Sequence, residues 1–169
     1  MQKKGNIENN KDVTLRIMET AMAEELKARN LYKKISSQLE DKAAKLKFEV
    51  MSDAEQRHYE QLRKWYEFHF GKSPEDIKIK TAKAVKVNRP ERKATYEDII
   101  NIIINAETNA CIFYENAAKK TKDKNAKKVF EALISMERGH VTQFKDELRV
   151  ITEPSLWCAE EDIPWMLEV

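Results

Sequence analysis

The chain has 169 residues, enough for one domain that buries its own core. Hydrophobic residues make up 41% and charged residues 36%, with only three Gly and four Pro, which favours long solvated helices over strands joined by tight turns. The 31 basic and 29 acidic residues nearly cancel, so no overall charge favours nucleic acid or an anionic membrane as a partner.

The apolar stretches are short, and the longest, around Ile99 to Ile104, is far below the roughly 20 residues of a membrane span. The polar N-terminus lacks the apolar segment of a secretory signal, so a soluble protein of the cytoplasm is expected. Cys111 and Cys158 stand apart, without a Cys-x-x-Cys pair, which excludes a zinc or iron ribbon and a disulfide framework. Any bound metal must use other ligands.

The first half of the chain predicts two helices. Residues 1–11 are polar and predicted to be a flexible N-terminus, after which Asp12 is a candidate N-cap. Residues at helical spacing, apolar apart from Glu25 and the Tyr32 hydroxyl, define the inward face of the first helix: Met18, Ala21, Glu25, Ala28, Tyr32 and Ile35. Asp41 can cap a second helix, whose inward face reads Ala44, Phe48, Met51, Glu55, His58, Leu62, Trp65 and His69.

A long connection follows the second helix. Gly71 and Pro74 end that helix, and the Lys-rich segment from Gly71 to Ala94 is weakly periodic. Connections longer than about 15 residues are uncommon in compact domains, and in helical bundles they cross from one end to the other. A crossover between helices 2 and 3 is therefore predicted.

The second half predicts two more helices and a tail. Thr95 with Asp98 resembles a capping box that opens a third helix, with inward residues Ile100, Ile103, Glu107, Ala110, Tyr114 and Ala117. Asp123 can cap a fourth, with inward residues Ala126, Phe130, Leu133, Glu137, His140 and Phe144, and Pro154 prevents its continuation. The bundle is thus predicted for residues 12–150. Residues 151–169 form a tail whose Trp157, Trp165 and Met166 are expected to dock on the bundle or on a partner subunit.

The two helix pairs repeat each other. Adding 82 to a position in the first pair gives its counterpart in the second, as from Glu25 to Glu107 and from Tyr32 to Tyr114. With only two copies, the repeat indicates two helical hairpins packed about a pseudo-twofold axis.

Two Glu-x-x-His motifs lie on the inward faces. Glu55 with His58, and Glu137 with His140, are three residues apart, so the two side chains of each motif share one helix face. With the inward Glu25 and Glu107, four carboxylates and two imidazoles are predicted to converge at one level of the core. Unpaired charge there would be costly, so these six residues are candidate metal ligands.

The charges balance for two metal ions. Two divalent ions supply the +4 that cancels four carboxylates, and two ferric ions bridged by an oxide also carry +4, which favours redox-active iron over zinc. Manganese or zinc remain alternatives as substitutes. The competing interpretation, an unmetallated polar core, would require four unpaired buried carboxylates.

The segments ELKARNLY, AEQRH and MERGH, which begin at Glu25, Ala54 and Met136, resemble the rubrerythrin family of the ferritin-like superfamily. The resemblance covers residues 12–150 and implies an all-α, ferritin-like antiparallel four-helix bundle. It also implies two irons that react with hydrogen peroxide or dioxygen, with electrons from a rubredoxin.

Two departures from the family stand out. Rubrerythrins typically carry a second Glu one turn after the third-helix Glu, and this chain has Ala110 at that position. Many also carry a rubredoxin domain with Cys-x-x-Cys pairs, which this sequence lacks. A separate, rubredoxin-like electron donor is therefore expected, as is a homodimer.

The leading hypothesis is a di-iron oxidoreductase that reduces peroxide or dioxygen to water, with the six candidate ligands at its centre. Tyr32 and Tyr114 could hydrogen-bond the ligating carboxylates, relay electrons or simply pack in the core. The alternative is a ferroxidase that handles iron for storage, and a third interpretation is an interaction bundle with adventitious metal.

Overall fold

The computed structural model describes residues 2–74 and 95–153, with side chains from Val13 onward. These residues form four helices: α1 (Gln2–Gln38), α2 (Lys42–Phe70), α3 (Tyr96–Lys120) and α4 (Lys124–Thr152). None of the described helices is both long enough and apolar enough to cross a bilayer. The predicted all-α bundle is confirmed.

Three of the predicted N-caps are confirmed. The Asp41 carboxylate accepts a hydrogen bond from the Ala44 backbone N–H at 2.7 Å. Thr95 and Asp98 form a complete capping box, and Asp123 caps α4. Such caps satisfy backbone N–H groups that have no partner inside the helix, so the polar residues in the sequence fix where these helices begin.

The predicted start of α1 is wrong, because the helix begins at Gln2 and runs through Asp12. An aspartate inside a helix costs no more than about 0.7 kcal/mol relative to alanine, so its preference for the cap position does not by itself end a helix. The division of the chain into an N-terminal segment (1–11), a bundle domain (12–150) and a C-terminal tail (151–169) stays a prediction. The predicted tail beyond Glu153 lies outside the described residues.

The helices pack as two antiparallel hairpins, α1 with α2 and α3 with α4. At one end of the bundle, Leu62 near the end of α2 shares a core cluster with Phe130 near the start of α4. At the other end, Phe48 near the start of α2 shares a cluster with Ile100 near the start of α3. Helix α2 therefore ends far from where α3 begins, which confirms the crossover, although residues 75–94 lie outside the described part.

The inward face of α2 drifts from the predicted positions near its end. Trp65 was predicted to face the core, but Tyr66 is fully buried and Trp65 is only half-buried. A straight helix has about 3.6 residues per turn, so Tyr66 comes about five whole turns after Phe48 and returns to the same face. The predicted inward positions advance by alternating steps of three and four residues, about 3.5 per turn, which is less than one full turn of the helix. Over about five turns this difference adds up, and the predicted position falls on Trp65 instead of Tyr66.

Replacing Phe48 by Ala is expected to lower the free energy of unfolding by about 3 to 5 kcal/mol. The fully buried Phe48 ring stacks on Tyr32 at 6.2 Å and on Phe144 at 6.3 Å, so its loss leaves a cavity between them. The control is Phe68→Ala on the same helix, because Phe68 is 85% exposed and its loss should change stability by less than about 0.5 kcal/mol. Guanidinium unfolding measures both, and equal effects would contradict the packing.

Candidate metal centre

The six candidate ligands meet in the core between the two apolar clusters. Met22 and Tyr32, which flank Glu25 on α1, belong to different clusters, and the same arrangement recurs on the other helices. The relative exposures are low: Glu25 3%, Glu55 1%, His58 4%, Glu107 3% and Glu137 1%, with His140 partly buried. Each helix contributes at least one ligand, because the 82-residue repeat puts both hairpins in the same register.

The six side chains form two groups that share two members. One group, here called the His58 position, consists of Glu25, Glu55, His58 and Glu137. The other, the His140 position, consists of Glu55, Glu107, Glu137 and His140. Within each group the ligand atoms lie within 4.8 Å of one another, close to the roughly 4 Å that separates ligands on opposite sides of an ion with bonds of about 2 Å.

Both imidazoles turn Nδ1 toward the carboxylates. His58 Nδ1 lies 3.2 Å from Glu25 Oε2, 3.2 Å from Glu55 Oε2 and 3.1 Å from Glu137 Oε1. The two rings stack with centroids 5.6 Å apart. Since Nδ1 of each ring is the nitrogen that faces the carboxylates, it is the atom available to a metal.

Two buried tyrosines link the hairpins across the site. The Tyr32 hydroxyl on α1 donates to Glu107 on α3, and the Tyr114 hydroxyl on α3 donates to Glu25 on α1. The sequence predicted a bond to a ligating carboxylate as one option and did not predict which one. Each tyrosine holds the carboxylate of the opposite hairpin, so these bonds fix Glu25 and Glu107 relative to each other.

Three buried carboxylate oxygens have no hydrogen-bond partner among the described residues and are available to bind a cation. Glu25 Oε2, Glu55 Oε1 and Glu137 Oε1 are buried and make no hydrogen bond with the described residues, although nearby imidazole nitrogens lie within ion-pair distance. An unsatisfied buried carboxylate oxygen is costly. Metal ions bound to these oxygens would satisfy them, and the oxygen and imidazole donors suit iron, manganese or zinc.

In the metal-free protein, the neighbouring carboxylates favour the protonated form of both imidazoles. Burial disfavours the charged ring of His58, but its contacts with Glu137, Glu25 and Glu55 outweigh burial and raise its pKa to about 12. For His140, burial is likewise outweighed by Glu107 and Glu137, and the pKa rises to about 10. Protons on these rings then supply part of the positive charge that the carboxylates require.

The carboxylates divide in their proton affinity. Burial raises the pKa of Glu55 to about 9 and that of Glu107 to about 7. Burial acts in the same direction on Glu137, but the close contacts with the His140 and His58 imidazoles outweigh it and lower its pKa. Burial, reinforced by the neighbouring carboxylates, also raises the pKa of both tyrosines, so they stay protonated donors.

Sequence reasoning missed the polar residues behind the site. Arg29 Nη1 donates to Gln56 Oε1 at 2.6 Å, which ties α1 to α2 next to Glu25 and Glu55. Ser52, one turn before Glu55, is 1% exposed. The adjacency of Gln56 to Glu55 was visible in the sequence, but its partner on another helix was not.

A helical bundle that gathers four carboxylates and two imidazoles in two overlapping groups defines the class of ferritin-like proteins with a dinuclear metal site. The comparison with protein families narrows the class, because the model of the Rubrerythrin family matches residues 16–148. The chain belongs to the rubrerythrin family. A search of curated protein sequences gives no match.

Solved structures agree on the fold. A bacterioferritin from Desulfovibrio desulfuricans matches with a TM-score of 0.70 at 18% identity, over 89% of this chain and 86% of that chain. A bacterioferritin from Rhodobacter capsulatus matches with 0.66 at 21% identity, over 81% and 84%. A manganese catalase from Anabaena matches with 0.63 at 18% identity, over 93% and 78%. At these identities the matches support the fold alone.

Metal uptake by the metal-free protein is expected to release protons and to strengthen as pH rises. At pH 7, His58, His140 and Glu55 hold protons, because their pKa values of about 12, 10 and 9 lie above 7. Metals bind only the deprotonated ligands, so each ion competes with protons. Between pH 6 and pH 8 the apparent affinity for Mn²⁺ should rise about tenfold or more per pH unit.

Calorimetry in buffers of different ionisation enthalpy measures this proton release. Binding that is independent of pH would contradict the protonated state assigned to the metal-free site.

Proposed function

We propose that the chain is a di-iron oxidoreductase that reduces hydrogen peroxide or dioxygen to water with electrons from an external donor. The observation that carries the proposal is the sharing of Glu55 and Glu137 by both ligand groups, which is the arrangement that supports two ions side by side. The unshared ligands complete each group: Glu25 and His58 belong to the His58 position, and Glu107 and His140 to the His140 position. Glu55 and Glu137, which belong to both groups, would hold both ions if two were bound.

Iron is proposed because the ligand charge suits two oxidation states. Four carboxylates would balance the +4 charge of two ferrous ions, and they would balance the same net charge of two ferric ions together with one dianion. When bound, such a pair can deliver one electron from each ion, the two electrons that convert peroxide and two protons into two waters. Redox-inactive zinc would fit the donors but not this chemistry.

The residues of the chain bind, orient and enclose the centre. The carboxylates and imidazoles bind the ions, and the Tyr32 and Tyr114 hydroxyls orient Glu107 and Glu25. Aromatic side chains close the site on both sides along the bundle: Tyr32, Phe48 and Phe144 stack at one end, and Tyr114 stacks on Phe130 at the other. This enclosure limits contact with bulk water, and the partly exposed His140 is the proposed point of entry for a small oxidant.

The electrons are proposed to come from a separate small redox protein of rubredoxin type. The sequence has no Cys-x-x-Cys pair that could hold an iron of its own, and its two cysteines are distant in sequence. Cys111 is a buried free thiol whose pKa is raised by burial, so it is a poor thiolate ligand or nucleophile. The proposed assembly is a homodimer.

Replacing Glu137 by Ala is expected to lower the metal content, measured by elemental analysis of anaerobically purified protein, from about two ions to one or none per chain. Glu137 belongs to both groups, so its removal weakens both positions. The loss of bound metal should also lower the thermal midpoint. The control is Glu131→Ala on the same helix. The Glu131 side chain is 55% exposed, so its removal should change neither the metal content nor the thermal midpoint.

If Glu137→Ala kept the metal content and the thermal midpoint of the parent protein, the bundle would be an interaction module with adventitious metal.

Stopped-flow oxidation of the reduced, iron-loaded protein is expected to be faster with peroxide than with dioxygen at equal concentrations. A two-electron oxidant matches the two electrons held by the pair, whereas dioxygen needs four to reach water. A peroxide rate no better than the dioxygen rate would argue against a peroxidase.

Light scattering distinguishes the proposed enzyme from the iron-storage alternative, because a ferroxidase that stores iron requires a closed shell and the proposed enzyme requires only a dimer.

A further inference from the structure

The two metal positions are related by the internal repeat, but they are not equally well formed. His58 Nδ1 lies within 3.1 to 3.2 Å of three carboxylate oxygens from three helices. His140 Nδ1 is 3.0 Å from Glu137 but 3.5 Å from Glu107 and 3.7 Å from Glu55. The ligands of the His58 position are therefore gathered more tightly around one point.

Exposure differs in the same direction. The side chain of His58 is 5% exposed, whereas that of His140 is 15% exposed. Water or a chelator can reach a partly exposed ligand and replace it on the ion. A fully enclosed ligand can be replaced only after the protein opens locally. Release of an ion should thus be easier where His140 is a ligand.

The residues behind the two positions differ as well. On the first hairpin, the 2.6 Å hydrogen bond from Arg29 to Gln56 ties α1 to α2 at the level of the site. The residues 82 positions later are Cys111 and Arg138, which cannot repeat it. Arg138 on α4 instead forms an ion pair with Glu115 on α3, and its side chain is 65% exposed. Each hairpin thus has a bond between its two helices at this level, but that of the first hairpin is partly buried and that of the second is exposed. An exposed ion pair contributes little because water screens it, so the ligands of the first hairpin are held more firmly.

We infer that the two ions are held unequally: the His58 position retains its ion, and the His140 position exchanges its ion with solvent. This inference rests on the proposed dinuclear site and adds an order of loading and release to it. It follows that a mixed pair can be prepared, in which one metal occupies the His58 position and a second metal is exchanged into the other.

The test on the unaltered protein is an anaerobic titration of the metal-free chain with Co²⁺, followed by visible absorption. Two binding steps are expected, with affinities at least about tenfold apart. After full loading, a chelator should remove one equivalent at least about tenfold faster than the other. A single step that binds two ions, or loss of both at one rate, would overturn the inference while leaving the dinuclear site intact. Failure to bind Co²⁺ at all would instead refute the proposed function.

A matched pair of variants assigns the steps. His140→Ala should retain one tightly held Co²⁺, and His58→Ala should lose the tight step and keep at most weak binding. The opposite pattern would overturn the inference. Circular dichroism checks the fold, and if either variant does not fold, the exchange rates of the unaltered protein still decide between equal and unequal positions.

Gln56→Ala tests the role of the bond to Arg29. Without this bond the His58 position should exchange faster, and the rates of the two positions should approach each other. An unchanged difference would show that exposure alone separates them.

Discussion

The burial of four carboxylates at one level of a helical core is the constraint on which the rest of this structure depends. A carboxylate in an apolar interior is tolerated only when positive charge or hydrogen bonds compensate for lost water. Here His58 and His140 supply part of that compensation, yet three buried carboxylate oxygens have no hydrogen bond from the part of the chain that the structure describes. The core therefore suits a bound cation, and aromatic layers enclose the six candidate ligands on both sides.

The two hairpins depend on each other through this site. Each hairpin supplies one Glu-x-x-His helix and one helix with a single glutamate, so neither can surround two ions alone. The tyrosine bonds cross between hairpins in both directions, from Tyr32 to Glu107 and from Tyr114 to Glu25. Because Glu55 and Glu137 come from opposite hairpins, the internal repeat becomes one binding site only when the hairpins pack together.

The repeat is followed closely at the ligands and loosely around them. Position Ala110, where rubrerythrins typically carry an additional glutamate, is half-buried and packs on an apolar cluster. Arg29 and its counterpart Cys111 differ in both charge and size. A site with symmetric ligands and asymmetric surroundings can give two similar ions different properties, as outer residues commonly tune bound metals.

The sequence by itself determined the helices, most of their caps and the six candidate ligands, because helical period and capping chemistry are local. It also indicated the crossover, since only a long connection lay between Gly71 and Thr95. Only the tertiary structure decided which glutamate each tyrosine holds, that Tyr66 rather than Trp65 lies in the core, and that His140 is more exposed than His58. These features depend on distances between helices and on small angular drifts along them, which a one-dimensional pattern does not contain.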